Sequence, residues 1–282
     1  IDAISMASKN CFDYYKMGNE FGGIGPGKIA DILILDDYKK IKINKVILGG
    51  KIVVSDGKLV QQLHTPKVPA WMQKTVKIPK LYPKFFNVNS KNTDETVNTI
   101  LMKTEIVTQK NTSNLDVKDS NVVASYDKDI WKVAALDRTF GSKTHAVGFL
   151  ENFGADIGAF ASTWSFHEND MIVIGSNEND MADACNKLTK SQGGLIIVKD
   201  GKTLASLPFQ LGGIISTDPI EKVTKNFTKI NDVLSDSGCK FKKPHLIPLF
   251  LPFLALPDIR ILYSGIVDVK SRSFIPTIQT NL

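Results

Sequence analysis

Residues 21–35, FGGIGPGKIADILIL, set four glycines and one proline immediately before an Ile/Leu-rich run. Glycine opens positive φ and proline fixes φ, so a helix arriving from upstream must stop here and the chain must be re-aimed into β structure. Upstream, Ala3, Met6, Ala7, Cys11, Phe12 and Tyr15 fall near helical spacing, which predicts one amphipathic helix over 2–16 with Gly18 as its C-cap. Downstream, β-branched runs are separated by Gly49-Gly50 and Asp56-Gly57 at hairpin spacing, which predicts a small antiparallel unit.

A length of 282 residues accommodates two modest domains. Hydrophobic content of 43% beside 23% charged residues is that of a soluble globular chain, and the longest apolar run, 246–256, is cut by Pro248 and Pro252, which excludes a membrane helix. The three cysteines, Cys11, Cys185 and Cys239, are scattered and form no CxxC pair, so neither a disulfide framework nor a thiolate zinc site is expected. A reducing, cytoplasmic setting is the matching expectation. The net charge of +6 comes from lysines spread in ones and twos among acids, without the clustered charge and interleaved aromatics of a nucleic-acid binder. Neither a nucleic-acid nor a membrane partner is expected.

Four prolines between 64 and 86 predict connecting or edge chain. Residues 87–97 are polar and 100–119 alternate weakly, which predicts one or two exposed strands. Beyond 122 the pattern is strand (VVASY, WKVAALD), turn (FGSKTHAVGF), strands (GAFASTW, MIVIGS), helix (NDMADACNKLTKSQ), hairpin (GGLIIVKDGKTLASL) and a long helix over 218–237. Asp218-Pro219 and Gly238 supply the start and stop of that last helix. The expected class is α+β.

Motifs that could carry chemistry are few. The acidic run NENDMAD (177–183) lacks the glycine and glutamate of an EF-hand in register and reads as a helix N-cap. The turn Gly141-Ser142-Lys143-Thr144 lacks the first glycine of a phosphate loop. Asp137 and Arg138, adjacent in a strand, point to opposite faces and are expected to be structural. His64, His145, His167 and His245 form no HxH or HxxxH pair. His167, with Glu168 and Asp170, is the one cluster of imidazole and carboxylate at loop spacing, able in principle to face a substrate or relay protons.

The run FGGIGPGKIADILIL resembles the exit of amidohydrolase-superfamily chains from their metal-binding barrel. The series GAFASTW, MIVIGSNENDMADACNKL, GGLIIVKDGKTLASLPFQLGGIISTDP, FLALPDIRI and GIVDV resembles the C-terminal domain of adenine deaminases, and together these segments cover nearly the whole chain. The resemblance implies three stretches: a last barrel helix over 1–20, a small amidohydrolase-type β domain with a Pro-rich linker over 21–86, and an α+β C-terminal domain over 87–282. It also implies a parent reaction of adenine with water to give hypoxanthine and ammonia, in purine salvage. A divalent metal, Mn or Fe, would be held in an α/β barrel expected upstream of Ile1. The partners implied are adenine, that barrel portion and a further copy of the chain, while no catalytic metal and no turnover are expected of this chain alone.

The sequence also departs from the family. Where the family tends to read Ser-Thr-Val-Ala-His-Asp-Ser-His-Asn, residues 162–170 read STWSFHEND, so the two histidines fall on Phe166 and Asn169. Where it tends to read Glu-Arg-His before a glycine turn, this chain has Asp137-Arg138-Thr139. These losses favour a second possibility, a non-catalytic accessory or assembly module of a divergent amidohydrolase. The apolar, proline-punctuated stretch 250–259 is expected to dock against another domain or subunit.

Overall fold

The structure is a computed structural model that describes residues 1–60, 67–166 and 168–279. It divides into two compact units, Ile1–Lys67 and Val68–Leu282.

In the first unit the single helix expected over 2–16 is two short ones, α1 (Asp2–Met6) and α2 (Lys9–Tyr14). Ser8 breaks it: its backbone is non-helical, and its hydroxyl donates back to the Ile4 carbonyl at 2.6 Å, competing with the helical ladder. The left-handed position after α2 is taken by Lys16 rather than Gly18, and the Met17 amide reaches back to the Phe12 carbonyl at 2.8 Å. Gly22, at φ +80°, lies so near α2 that a Cβ there would stand 3.1 Å from the Lys9 backbone. The turn is held by Lys28, whose ammonium donates to the Gly18 carbonyl.

After the turn come β1 (Ile32–Asp37), β2 (Lys42–Leu48), β3 (Lys51–Ser55) and β4 (Lys58–Leu59), an antiparallel meander in the order β1-β2-β3-β4. Gly49-Gly50 and Asp56-Gly57 all take positive φ, as hairpin turns that follow strand twist require. Asp31 accepts from the Gly49 amide at 2.8 Å, bracing the β2–β3 turn rather than the glycine run beside it.

The second unit is built on nine strands: β5 (Asp94–Met102), β6 (Thr108–Lys118), β7 (Asn121–Val122), β8 (Ile130–Asp137), β9 (His145–Glu151), β10 (Ala159–Ser162), β11 (Asp170–Gly175), β12 (Gly194–Lys199) and β13 (Lys202–Pro208). Their order is β13-β12-β10-β11-β8-β9-β5-β6-β7, antiparallel except between β5 and β9. A smaller sheet joins β14 (Ile259–Leu262), β15 (Gly265–Asp268) and β16 (Ser273–Ile275). Three helices complete the unit: α3 (Glu178–Ser191), α4 (Ile220–Asp236) and the short α5 (Ile247–Phe250). The class is α+β, and among the described residues no sheet closes into a barrel. No helix of the described residues is long and apolar enough to cross a membrane.

Alternation along the central strands makes two cores. Trp131, Val133 and Ala135 of β8, Ile172 and Ile174 of β11, and Leu195 and Ile197 of β12 join Ile230 and Leu234 of α4 on one face. Ala134 and Leu136, Met171 and Val173, and Ile196 and Val198 turn to the other face, where α3 supplies Met181, Ala184, Cys185 and Leu188. The strands read as continuous apolar runs because both faces are covered.

Helix α3 begins as its sequence predicts, with the Asn177 side chain accepting from the Asp180 amide at 2.8 Å. Asp180 itself accepts from the Asp200 and Gly201 amides, clipping the β12–β13 turn to the helix. Helix α4 starts one residue later than expected, with Pro219 as N-cap, and Asp218 pairs with Lys222 instead of capping.

Several expectations need correction. Strand β5 is not exposed: Val97, Asn98, Thr99 and Ile100 are buried between β6 and β9. Its polar side chains are satisfied there, Asn98 donating to the Pro276 carbonyl and Thr99 to Glu151. The VVASY strand is reduced to β7, and the second half of FGSKTHAVGF is strand β9. The Pro-rich stretch after residue 67 is irregular, as its prolines require, yet Val76, Ile78, Leu81 and Phe86 enter the α3-side core. Within 250–259, Leu251 and Ile259 belong to the α4-side core of this same unit.

Candidate functional site

Antiparallel pairing of β8 with β11 sets Asp137 opposite Asp170, which brings the end of one strand, the start of the other and the loop 163–169 to one edge. Asp137 closes the turn that follows β8. One carboxylate oxygen accepts from the Thr139 and Phe140 amides and the other from the Ser142 amide and hydroxyl. Burial works against this carboxylate, but the four donors hold it below the usual range.

Arg138 turns the other way, so the two neighbours serve different partners. The residue is 2% exposed, and its guanidinium donates to the Gly212 carbonyl at 3.0 Å and to Asn169 Oδ1 at 3.1 Å, while Nε has no partner. The approach depends on Gly213, at φ +74°, where a Cβ would lie 2.8 Å from Nη1. Thr163 ties the same loop down, donating to the Gly213 carbonyl at 2.6 Å and accepting from the Gly194 amide at 2.8 Å. Burial lowers the Arg138 pKa to about 10, with the charge of Asp170 opposing.

Asp170 is 1% exposed. One of its oxygens accepts from the Tyr263 amide at 2.9 Å and the other has no partner. Burial pushes its pKa up to about 7, Glu168 and Asp137 add to the rise, and the Tyr263 amide and Arg138 oppose it. A buried carboxyl with one unmatched oxygen, near a guanidinium with one unmatched N–H, is the chemistry of a group that can hold or release a proton near neutrality. At that depth Asp170 meets a ligand only through the loop it anchors.

Glu168 is half-buried and accepts from the Leu254 amide at 3.3 Å. His167 lies outside the described residues, as does His64. Phe166 packs on Phe250 and Phe253, with ring centroids 5.2 and 4.6 Å away, so one of the two positions where the family tends to carry histidine is occupied by an apolar contact. Trp164 lies beneath, against Phe209, Phe227 and the His245 ring.

The remaining histidines are elsewhere. His145 stacks on Phe85 at 3.7 Å, and His245 Nδ1 meets Asn231 Oδ1 at 2.7 Å. Among the described residues no three His, Cys, Asp or Glu side chains are arranged to hold a metal ion.

Sequence reasoning paired Asp170 with His167 and Glu168 and set Arg138 aside. The structure brings Arg138, Asn169 and Asp170 together. The signal lay in strand pairing, since β8 and β11 are antiparallel and each carries a charged residue at the same end.

The family described as adenine deaminase C-terminal domain matches residues 105–273. An adenine deaminase of Cenarchaeum symbiosum (strain A) is 52% identical over 278 residues, 99% of this chain and 46% of that protein. Adenine deaminases of Clostridium botulinum (strain 657 / Type Ba4) and Desulforamulus reducens are 31% and 32% identical, again over 98% and 99% of this chain and 46% and 48% of theirs. The α+β unit is thus, over residues 105–273, an adenine deaminase C-terminal domain. The chain belongs to the adenine deaminase family, and it spans about half the length of the curated relatives it matches.

Proposed function

We propose that this chain works as part of an adenine aminohydrolase, in which adenine and water give hypoxanthine and ammonia. The observation that carries this reading is the 52% identity, across 99% of the chain, to a protein named adenine deaminase. In this proposal the divalent metal, Mn or Fe, and its ligands belong to the other half of the relatives' length. That portion, adenine and a further copy of the chain are the partners.

Within the chain, Glu168 and His167 are the residues proposed to face substrate. Arg138 and Asp170 are positioning residues that fix the loop from below, through Asn169 and through the start of β11. A base edge needs donors and acceptors held in place, and a loop tied to two strands and two glycine turns supplies that.

The test is ammonia release from adenine with added Mn²⁺ or Fe²⁺, comparing this chain alone with the longest form recovered from the same source. Activity confined to the longer form supports the proposal. Activity in this chain alone would contradict it, and silence in both would favour the accessory-module reading.

A further inference from the structure

A second concavity in the unit Val68–Leu282 gathers charge that is scattered in the sequence. A groove of about 580 Å³ is lined by Lys80, Lys84, Lys143 and His145, by Tyr82 and Phe85, by Asn87 and Asn89, and by Pro79 and Leu81. Among the described residues, no carboxylate lines it. We propose that this groove binds a nucleoside phosphate, with the base against the aromatic wall and the phosphate among the three lysines.

The walls are built before any ligand arrives. Asn186 on α3 clamps Leu81 from both sides, accepting from its amide and donating to its carbonyl, each at 2.9 Å. Phe86 is fully buried, and its carbonyl accepts from Lys132 at 3.0 Å. Between these anchors the 3-10 turn Pro83–Phe86 points Tyr82 and Lys84 outward. On the opposite wall, Lys143 sits at φ +62° on the turn that Asp137 closes. Anchored backbones reduce the entropy lost when a ligand is gripped.

The chemistry on the two walls is complementary to one ligand class. Phe85 and His145 form a stacked pair, and Tyr82 presents an exposed ring with the Lys80 ammonium 5.5 Å from its centroid. Flat aromatic surfaces of this kind accept a base face, while the Asn87 and Asn89 amides can meet its edge. Lysine ammonium groups are point charges suited to phosphate, and no carboxylate stands among the described lining residues to compete for them. The volume falls within the range of small-molecule sites. This inference goes beyond the proposed deamination and does not depend on it, because the groove shares no residue with the loop 163–170.

The test is calorimetric titration of the chain with AMP, adenosine, inorganic phosphate and a short single-stranded oligonucleotide at low and moderate salt. The proposal expects AMP to bind at least about tenfold more tightly than adenosine or phosphate, with affinity falling as salt rises. Lys84→Glu combined with Lys143→Glu should weaken AMP by about tenfold or more, whereas Lys225→Glu on the exposed side of α4 should leave it unchanged. Thermal melts of each variant separate lost binding from lost folding. Tyr82→Ala, at an exposed ring, gives an independent loss if the double variant does not fold. No AMP binding at millimolar concentration would overturn the proposal, as would equal affinity for phosphate or adenosine. An oligonucleotide bound far more tightly than AMP would overturn it in favour of a strand-binding groove.

Discussion

A buried cation stands near each end of strand β8, and the two are treated in opposite ways. Lys132 is 1% exposed, and its three N–H groups find three acceptors: the Phe86 carbonyl, Asn121 Oδ1 at 2.9 Å and Glu178 Oε1 at 2.6 Å. Asn121 completes the ring by donating to the same Glu178 oxygen. Burial raises the Glu178 carboxyl, but the Lys132 ammonium outweighs it and holds it below the usual carboxylate range. Arg138, just past the other end, keeps an unmatched Nε, and the nearby Asp170 keeps an unmatched oxygen and a pKa near 7. A closed network fixes structure, whereas a partly open one leaves hydrogen-bonding capacity for something else. That difference separates a structural ion pair from a candidate site on one strand.

The largest expected effect that sharpens this contrast is on pH dependence. The folded chain keeps a proton on Asp170 up to about pH 7, whereas the unfolded chain releases it near the ordinary value of 3.8. The associated stability is therefore complete below about pH 4 and is lost as pH rises through about 7, on the order of 4 kcal/mol in all. Urea denaturation across that window should show the fall, and Asp170→Asn should flatten it. A wild-type curve that the Asn variant reproduces would break the comparison.

Breaking the closed network should come next. Lys132→Met leaves Asn121, the Phe86 carbonyl and Glu178 short of a donor. It should cost roughly 3 kcal/mol in chemical denaturation, near the low end for a buried pair because Glu178 is partly solvated. The open site should be less sensitive: Arg138→Met removes two hydrogen bonds to neutral acceptors and should cost about 1 to 2 kcal/mol. It also removes a charge that favours ionised Asp170, so the carboxyl should titrate higher in that variant. Equal costs for the two substitutions would erase the distinction.

The sequence made the regular parts of the fold legible wherever local chemistry decides conformation. Gly49-Gly50, Asp56-Gly57, the Asn177 cap and the hairpin of β12 and β13 stand where turn and cap residues put them. It was least legible where tertiary partners override composition. The segments DETVNTILM and TQKNTSNLDVK look solvated, yet the first is buried because Pro276, Thr277, Glu151 and Gln279 meet its polar groups. Ser8 splits a helix that apolar spacing alone would carry through. The candidate site was half legible: Asp170 stood out as a carboxylate in a polar loop, but Arg138 joins it only through the register of β8 against β11. The lysine groove was hidden for the same reason, since Lys84 and Lys143 lie far apart in the chain and meet only after folding.

The most direct test of the contrast is the side-chain carboxyl titration of the aspartates by ¹³C NMR, with Asp170→Asn used to assign the resonance. The account predicts one aspartate titrating near pH 7, absent from the Asn variant and moved upward in Arg138→Met. An Asp170 resonance titrating at or below its ordinary value of 3.8 would contradict it. In that case Arg138 and Asp170 would form a satisfied structural pair like Lys132 and Glu178.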